Sequence, residues 1–289
     1  MPQSAARPDE VANRHHPDFT RRLSLIFLAG LLLRVAYVLL VERGAPLSGD
    51  GTYYHEAANL LADGLGFTEP YRYLHGGAQE YLFAADPSAI ATSAYTALPV
   101  GHIEPTAGHP PLWVLVLGFS SMLGFTSVAA HQMLGALVGA VGVVAVGWAG
   151  RTLDGPRTGL IAASIAAGHA CLWLSDGLVM SESLVVVGTA IVVGCAVRAY
   201  NSQETRWIIL LGLAGGLTAL VRAEMLLVLP IVALPVLRAP GIDIRRRLMR
   251  YVAIGLVAGA VLAPWGGRNI QTFEEPVLLS NGLGILLAQ

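Results

Sequence analysis

SGDGTYYHEAANLLADGLGF, Ser48–Phe67, follows the apolar run LSLIFLAGLLLRVAYVLLV, Leu23–Val41, and the two together decide the fold class. The first run is long enough to cross a bilayer as a helix. In the second, Tyr53/Tyr54, Ala57/Ala58, Leu60/Leu61 and Leu65 recur every three to four residues, which gives one apolar face on a short helix. Such a helix lies in the membrane interface rather than crossing it. Asp50 stands at its N-terminus, either as a helix cap or as an acid held at the water–lipid boundary.

Of the 289 residues, 54% are hydrophobic and 13% charged, against about 25% charged in soluble domains. The composition is that of an all-α integral membrane protein. A net charge of −1 gives no reason to expect a nucleic-acid partner. The 18 basic residues are all arginine, so lysine nucleophiles and Schiff bases are excluded. Cys171 and Cys195 lie in apolar runs and read as packing residues. Residues 1–22 read as a disordered cytoplasmic tail ending in Arg21 and Arg22, which place the following loop outside. Arg34 sits about 10 Å below the outer end of the first span, and either snorkels outward or pairs with an acid.

Residues 42–127 then form a long extracytoplasmic loop with juxtamembrane helices. It is rich in acids (Glu42, Asp50, Glu56, Asp63, Glu69, Glu80, Asp86, Glu104), and Tyr71, Tyr73, Tyr81 and Tyr95 suit an interfacial belt. Further apolar runs are Pro110–Phe125, Val128–Ala149, Thr158–Ser175, Ser183–Val197, Trp207–Val221, Met225–Leu237 and Leu248–Pro264. If all cross, the cluster Arg245-Arg246-Arg247 lands outside, against the positive-inside rule. If Pro110–Phe125 is a second interfacial helix, Arg151–Arg157, Arg198–Arg206 and Arg238–Arg250 all face the cytoplasm. About seven transmembrane helices is therefore the expected count, over residues 23–264. Residues 265–289 open a second outer loop.

That topology gathers Asp50, Asp176, Glu182, Glu224, Arg222, Arg268, His109 and His55 at the outer face. Acids beside arginines and histidine suit an anionic lipid headgroup, with cations for a phosphate and a carboxylate for proton transfer. Each also has a plain structural reading: helix ends for Asp176 and Glu182, a local ion pair for Arg222/Glu224, a solvated loop for His109. His131 and His169 read as satisfied core histidines. No residues sit at metal-ligand spacing, although two carboxylates beside a phosphate could hold a divalent cation.

Five stretches in order carry a resemblance: LLLRVAYVLLVERGAPLSGDGTYYHEAANLLADGLGF, HPPLWVLVLG, LVMSESLVVVGTA, LTALVRAEMLLVLP and PWGGRNIQTFEEPVLLSNGLG. The set resembles the GT-C superfamily of polyprenyl-phosphate-sugar-dependent glycosyltransferases, in the branch with protein O-mannosyltransferases and aminoarabinose transferase. The resemblance implies a seven-span module and a polyprenyl-phosphate sugar donor. It also implies an inverting transfer to a protein, lipid or glycan acceptor, outside a multi-pass cell (plasma) membrane protein. It makes Asp50 the catalytic base and Glu182 a second catalytic acid, with His109 and Arg268 on the phosphate side. Tyr53, Tyr54, His55, Arg222 and Glu224 complete the substrate-binding candidates. Family members usually carry further spans, so a chain ending at Gln289 reads as a fragment or a short member. The alternatives are a catalytically inactive lipid-phosphate-binding subunit and, third, a transporter, which the absence of internal repeats disfavours.

Overall fold

The computed structural model describes residues 17–47, 49–76, 100–202 and 204–281. The N-terminal tail to residue 16, the acids Glu80 and Asp86, the tyrosines Tyr81 and Tyr95, and the last eight residues lie outside them. The described residues are helical, with a single isolated bridge between Thr68 and Pro105. Helix α1 is Pro17–Tyr37, extended by a π-turn over Val38–Glu42. Helices α2 (Asp50–Ala62), α3 (Pro70–His75) and α4 (Pro111–Met122) fill the first loop. Then come α5 (Val128–Gly168), α6 (Ala170–Gly177), α7 (Glu182–Ser202), α8 (Thr205–Ala219), α9 (Met225–Ala233, with a 3₁₀ turn over Leu234–Arg238) and α10 (Ile244–Thr272). The segments Asp18–Glu42, Val128–Gly168, Glu182–Ser202 and Ile244–Thr272 are long and apolar enough to cross a membrane.

At 41 residues α5 would reach about 60 Å if straight, twice a bilayer core. It is not straight. Asp154 (φ −150°, ψ 35°) and Gly155 (φ 84°, ψ −176°), with Pro156 behind them, break it into arms 128–153 and 156–168. The arms close on glycine: a Cβ at Gly159 would lie 2.5 Å from the Gly147 carbonyl oxygen. This is the hairpin expected between the Val128 and Thr158 runs.

The second arm departs from expectation. Thr158–Ser175 reads as one continuous span, but His169 is extended (φ −73°, ψ 114°) and ends the helix, and α6 restarts it. The break leaves last-turn carbonyls without helical partners. Arg34 supplies them: its guanidinium donates to Ala167 O at 3.4 Å and Ala166 O at 3.5 Å. A broken helix at this depth persists only where protein rather than lipid satisfies the backbone.

Helix α10 also runs further than expected. The sequence places PWGGRN at the start of an outer loop, yet the helix continues through Pro264 to Thr272. Trp265 and Asn269, one turn apart, are both buried. Residues 273–281 return across them: the Trp265 indole N–H donates to Leu279 O at 2.8 Å, and Asn281 N–H to Ala107 O at 3.0 Å. The α2–α4 pair forms its own core from Tyr53, Tyr54, Ala57, Ala58, Trp113, Val114 and Leu117, closed by Val179. At 12 residues, α4 is shorter than the about 20 residues a crossing helix needs, as are α8 and α9.

Candidate active site

Asp50 does not cap α2. The N-cap is Gly49, at φ 53° and ψ −131°, a conformation glycine adopts without a Cβ clash. Asp50 is therefore the first helical residue, its carboxylate 44% exposed and aimed at His109, with Oδ1 3.7 Å from Nε2. What fixes the helix start is contact with the opposite wall: a Cβ at Gly51 would lie 2.3 Å from Leu178 O. Gly51→Ala must push α2 and Asp50 off that wall. We expect a cooperative fold with most transfer activity lost, read by comparing turnover with thermal unfolding; wild-type turnover would show that Asp50's placement does not depend on the approach.

His109 is held from both sides. The Tyr54 hydroxyl lies 3.2 Å from Nδ1, and the rings of Tyr53 and Tyr54 sit 4.7 and 4.8 Å from the imidazole. Burial holds the imidazole below its ordinary pKa and Arg222 adds to this, while Asp50 and Glu182 pull it back up. Just upstream, Thr106 Oγ1 donates to Glu69 Oε2 (2.8 Å) and accepts from the Tyr53 hydroxyl (3.1 Å) and from Gly108 N–H (3.0 Å). Arg268 donates to Thr106 O at 2.9 Å and Phe67 O at 3.4 Å, its guanidinium over the rings of Phe67, Trp265 and Phe273. Its contacts thus brace the segment that presents His109.

Across the site, Arg222 ion-pairs with both Glu182 and Glu224, the latter at 2.8 Å. The second Glu182 oxygen is buried with no hydrogen-bond partner among the described residues. Glu182 opens α7 after a bent approach in which Val179 sits at φ 60°. A β-branched residue in that region is strained and needs holding. Trp113 holds it, its indole N–H donating to Val179 O at 2.9 Å, and Gln132 donates to Gly177 O at 2.9 Å. Beneath the bend, Arg34 Nε donates to Asp176 Oδ2 at 2.6 Å, with both side chains 1% exposed, and Ser183 donates to the other oxygen. Asp176 is thus drawn into the core and away from Asp50.

The fold brings Asp50, Tyr53, Tyr54, His109, Glu182, Arg222 and Glu224 together. It leaves His55 elsewhere. The His55 ring meets buried His131, Nδ1 to Nδ1 at 3.0 Å, in a polar ring with Ser121 and Asn59. Ser181, Trp113 and Val179, inside the stretches quoted above, and Thr106, outside them, belong to the site's frame and carry no sequence signal of their own. Among the described residues, no three His, Cys, Asp or Glu side chains converge as a metal set.

From the site an apolar groove of about 490 Å³ runs between α7 and α8. Leu112, Leu184 and Val221 line it within three residues of His109, Glu182 and Arg222, and Trp148 and Trp207 line its other end.

A family model described as dolichyl-phosphate-mannose-protein mannosyltransferase matches residues 108–266. The chain belongs to this family. It is a mannosyltransferase-like membrane glycosyltransferase of the GT-C type. The matched segment contains His109, Glu182, Arg222 and Glu224; Asp50 lies outside this mannosyltransferase-family segment and meets it at His109, and Arg268, also outside, sets its guanidinium over the ring of Trp265. No curated protein and no solved structure matches the chain.

Proposed function

We propose that the protein transfers a sugar from a polyprenyl-phosphate donor to an acceptor hydroxyl or amine in one inverting displacement at the extracytoplasmic membrane face. The observation that carries this is the meeting of an exposed carboxylate, a histidine and a two-carboxylate-bound arginine at the head of an apolar groove. A lipid-linked sugar phosphate has that division of chemistry: a long apolar tail, an anionic joint and a polar head.

In this reading the prenyl chain lies along the groove between α7 and α8. The phosphate comes to Arg222, whose geometry is set by Glu182 and Glu224, with His109 beside it. Asp50, on the other flank, takes the acceptor's proton as that atom attacks the anomeric carbon. The leaving phosphate gains negative charge as the bond breaks, and Arg222 stabilises it there. Arg268 serves by holding Thr106, and with it the approach to His109. The arginine distribution supports the sidedness. Arg151 and Arg157 flank the α5 break, Arg198 ends α7 and Arg245–Arg247 open α10, all at helix ends remote from Glu182, Arg222 and Arg268.

The test is a donor panel: the protein in lipid nanodiscs is given polyprenyl-phosphate sugars of several head groups and chain lengths, and free polyprenyl phosphate is measured with and without a chelator. We expect release with at least one head group, rising with prenyl length until the groove is filled. Tight binding with no release from any donor would favour the inactive lipid-phosphate-binding subunit. Release lost on chelation would assign a divalent cation to the carboxylates.

A further inference from the structure

The hydrogen-bond partners of Tyr54 favour one tautomer of His109. The Tyr54 hydroxyl has one proton and donates it to Ser181 Oγ at 3.3 Å. The same oxygen lies 3.2 Å from His109 Nδ1. With its proton directed to Ser181, it accepts there, an arrangement that favours the tautomer with the hydrogen on Nδ1. Nε2 is then a bare lone pair, and it faces Asp50 Oδ1 at 3.7 Å.

Two lone pairs across a gap of that size repel unless a proton enters it. The charged groups around the imidazole are Asp50 on α2, Glu182 on α7 and Arg222 after α8, with the phenols of Tyr53 and Tyr54 against its faces. A protonated imidazole would keep Nδ1–H on Tyr54 and set its charge against Asp50 as an ion pair at 3.7 Å. The arrangement has a place for one more proton than it holds at rest.

We infer that Asp50 and His109 form a two-membered base, in which Asp50 takes the acceptor's proton and His109 Nε2 stores it while the sugar moves. This rests on the reading of Asp50 given above. The acceptor O–H bond breaks, and its electron pair makes the new bond to the anomeric carbon. The anomeric carbon–oxygen bond breaks with its pair going to the phosphate. The proton passes through the Asp50 carboxylate to Nε2, and then to water or to the departing phosphate, which resets the pair. Charge balances as well: a phosphodiester monoanion becomes a monoester dianion as the imidazole becomes a cation beside it. Tyr54 and Ser181 act through His109 as positioning residues.

His109→Gln, Tyr54→Phe and Asp50→Asn separate the possibilities, with kcat and donor KM followed across pH. In His109→Gln we expect kcat to fall about 10²-fold, the lower end of what a positioned proton acceptor supplies. Its donor KM should hold, the acidic limb of the rate profile set by imidazole titration should vanish, and added imidazole should restore part of the rate. Tyr54→Phe should lower kcat less and displace the same limb, because Nδ1 loses its acceptor. A His109→Gln variant with raised donor KM and unchanged kcat and pH profile would make His109 a phosphate ligand and overturn the storage step. An inert Asp50→Asn beside that result sinks storage alone. An active Asp50→Asn sinks the parent reading as well.

Discussion

Asp50→Asn is expected to eliminate sugar transfer while the protein still folds and still binds polyprenyl phosphate. The amide keeps the size and polarity of the carboxylate but cannot take a proton, so the loss is at least the 10²–10⁴-fold that a positioned general base contributes, on an order-of-magnitude scale. Folding survives for reasons visible in the structure. Asp50 is not the cap of α2, its side chain is exposed, and it faces His109 in an ion pair at 3.7 Å. An exposed pair at that distance adds little to stability. The measurement is release of polyprenyl phosphate beside a thermal unfolding curve in the same lipid. Turnover within a few-fold of the parent chain would remove Asp50 from the chemistry.

The second large effect is on stability. Arg34→Met leaves the buried Asp176 carboxyl without its counter-charge and facing only Ser183, so that it must stay ionised in the core or take up a proton there, in a wall where Gly135 and Gly139 allow no side chain between it and the helix backbone. Breaking a buried pair from one side costs about 3–5 kcal/mol, because the remaining charge has lost its compensation. It also uncaps the carbonyls of Ala166 and Ala167 at the α5 break. Adding Asp176→Asn removes the stranded charge, and the double variant should recover most of the loss, as read by unfolding temperature. Simple additivity of the two substitutions would mean that the residues do not act as a pair.

His131 shows how far composition alone reaches. A lone histidine in an apolar run reads as a satisfied core residue, and His131 is one, fully buried and bonded to Ser121 and His55, whereas His169, read the same way, stands exposed at the break between α5 and α6. His55 shows the limit. Its place five residues after Asp50 suggests the same site, but on a 3.6-residue period the two side chains point to different sides of α2. The alternatives left open for Arg34 were settled in the same way, by a partner 142 positions away along the chain.

The sequence by itself determined the class of the fold and the rough positions of its helices, because the apolar periodicity and the arginine distribution act locally and lipid permits few other answers. It could not show that the third apolar run breaks at His169, that Val179 is held in a strained conformation, or that helix α10 continues past Pro264. Each of these is decided by partners distant in sequence: Arg34, Trp113 and the returning 273–281 segment. The assembly of Asp50 with His109, Glu182 and Arg222 is of the same kind. Their residue types were legible in the chain, but their meeting depends on a glycine contact between α2 and the 177–181 bend that no local pattern encodes.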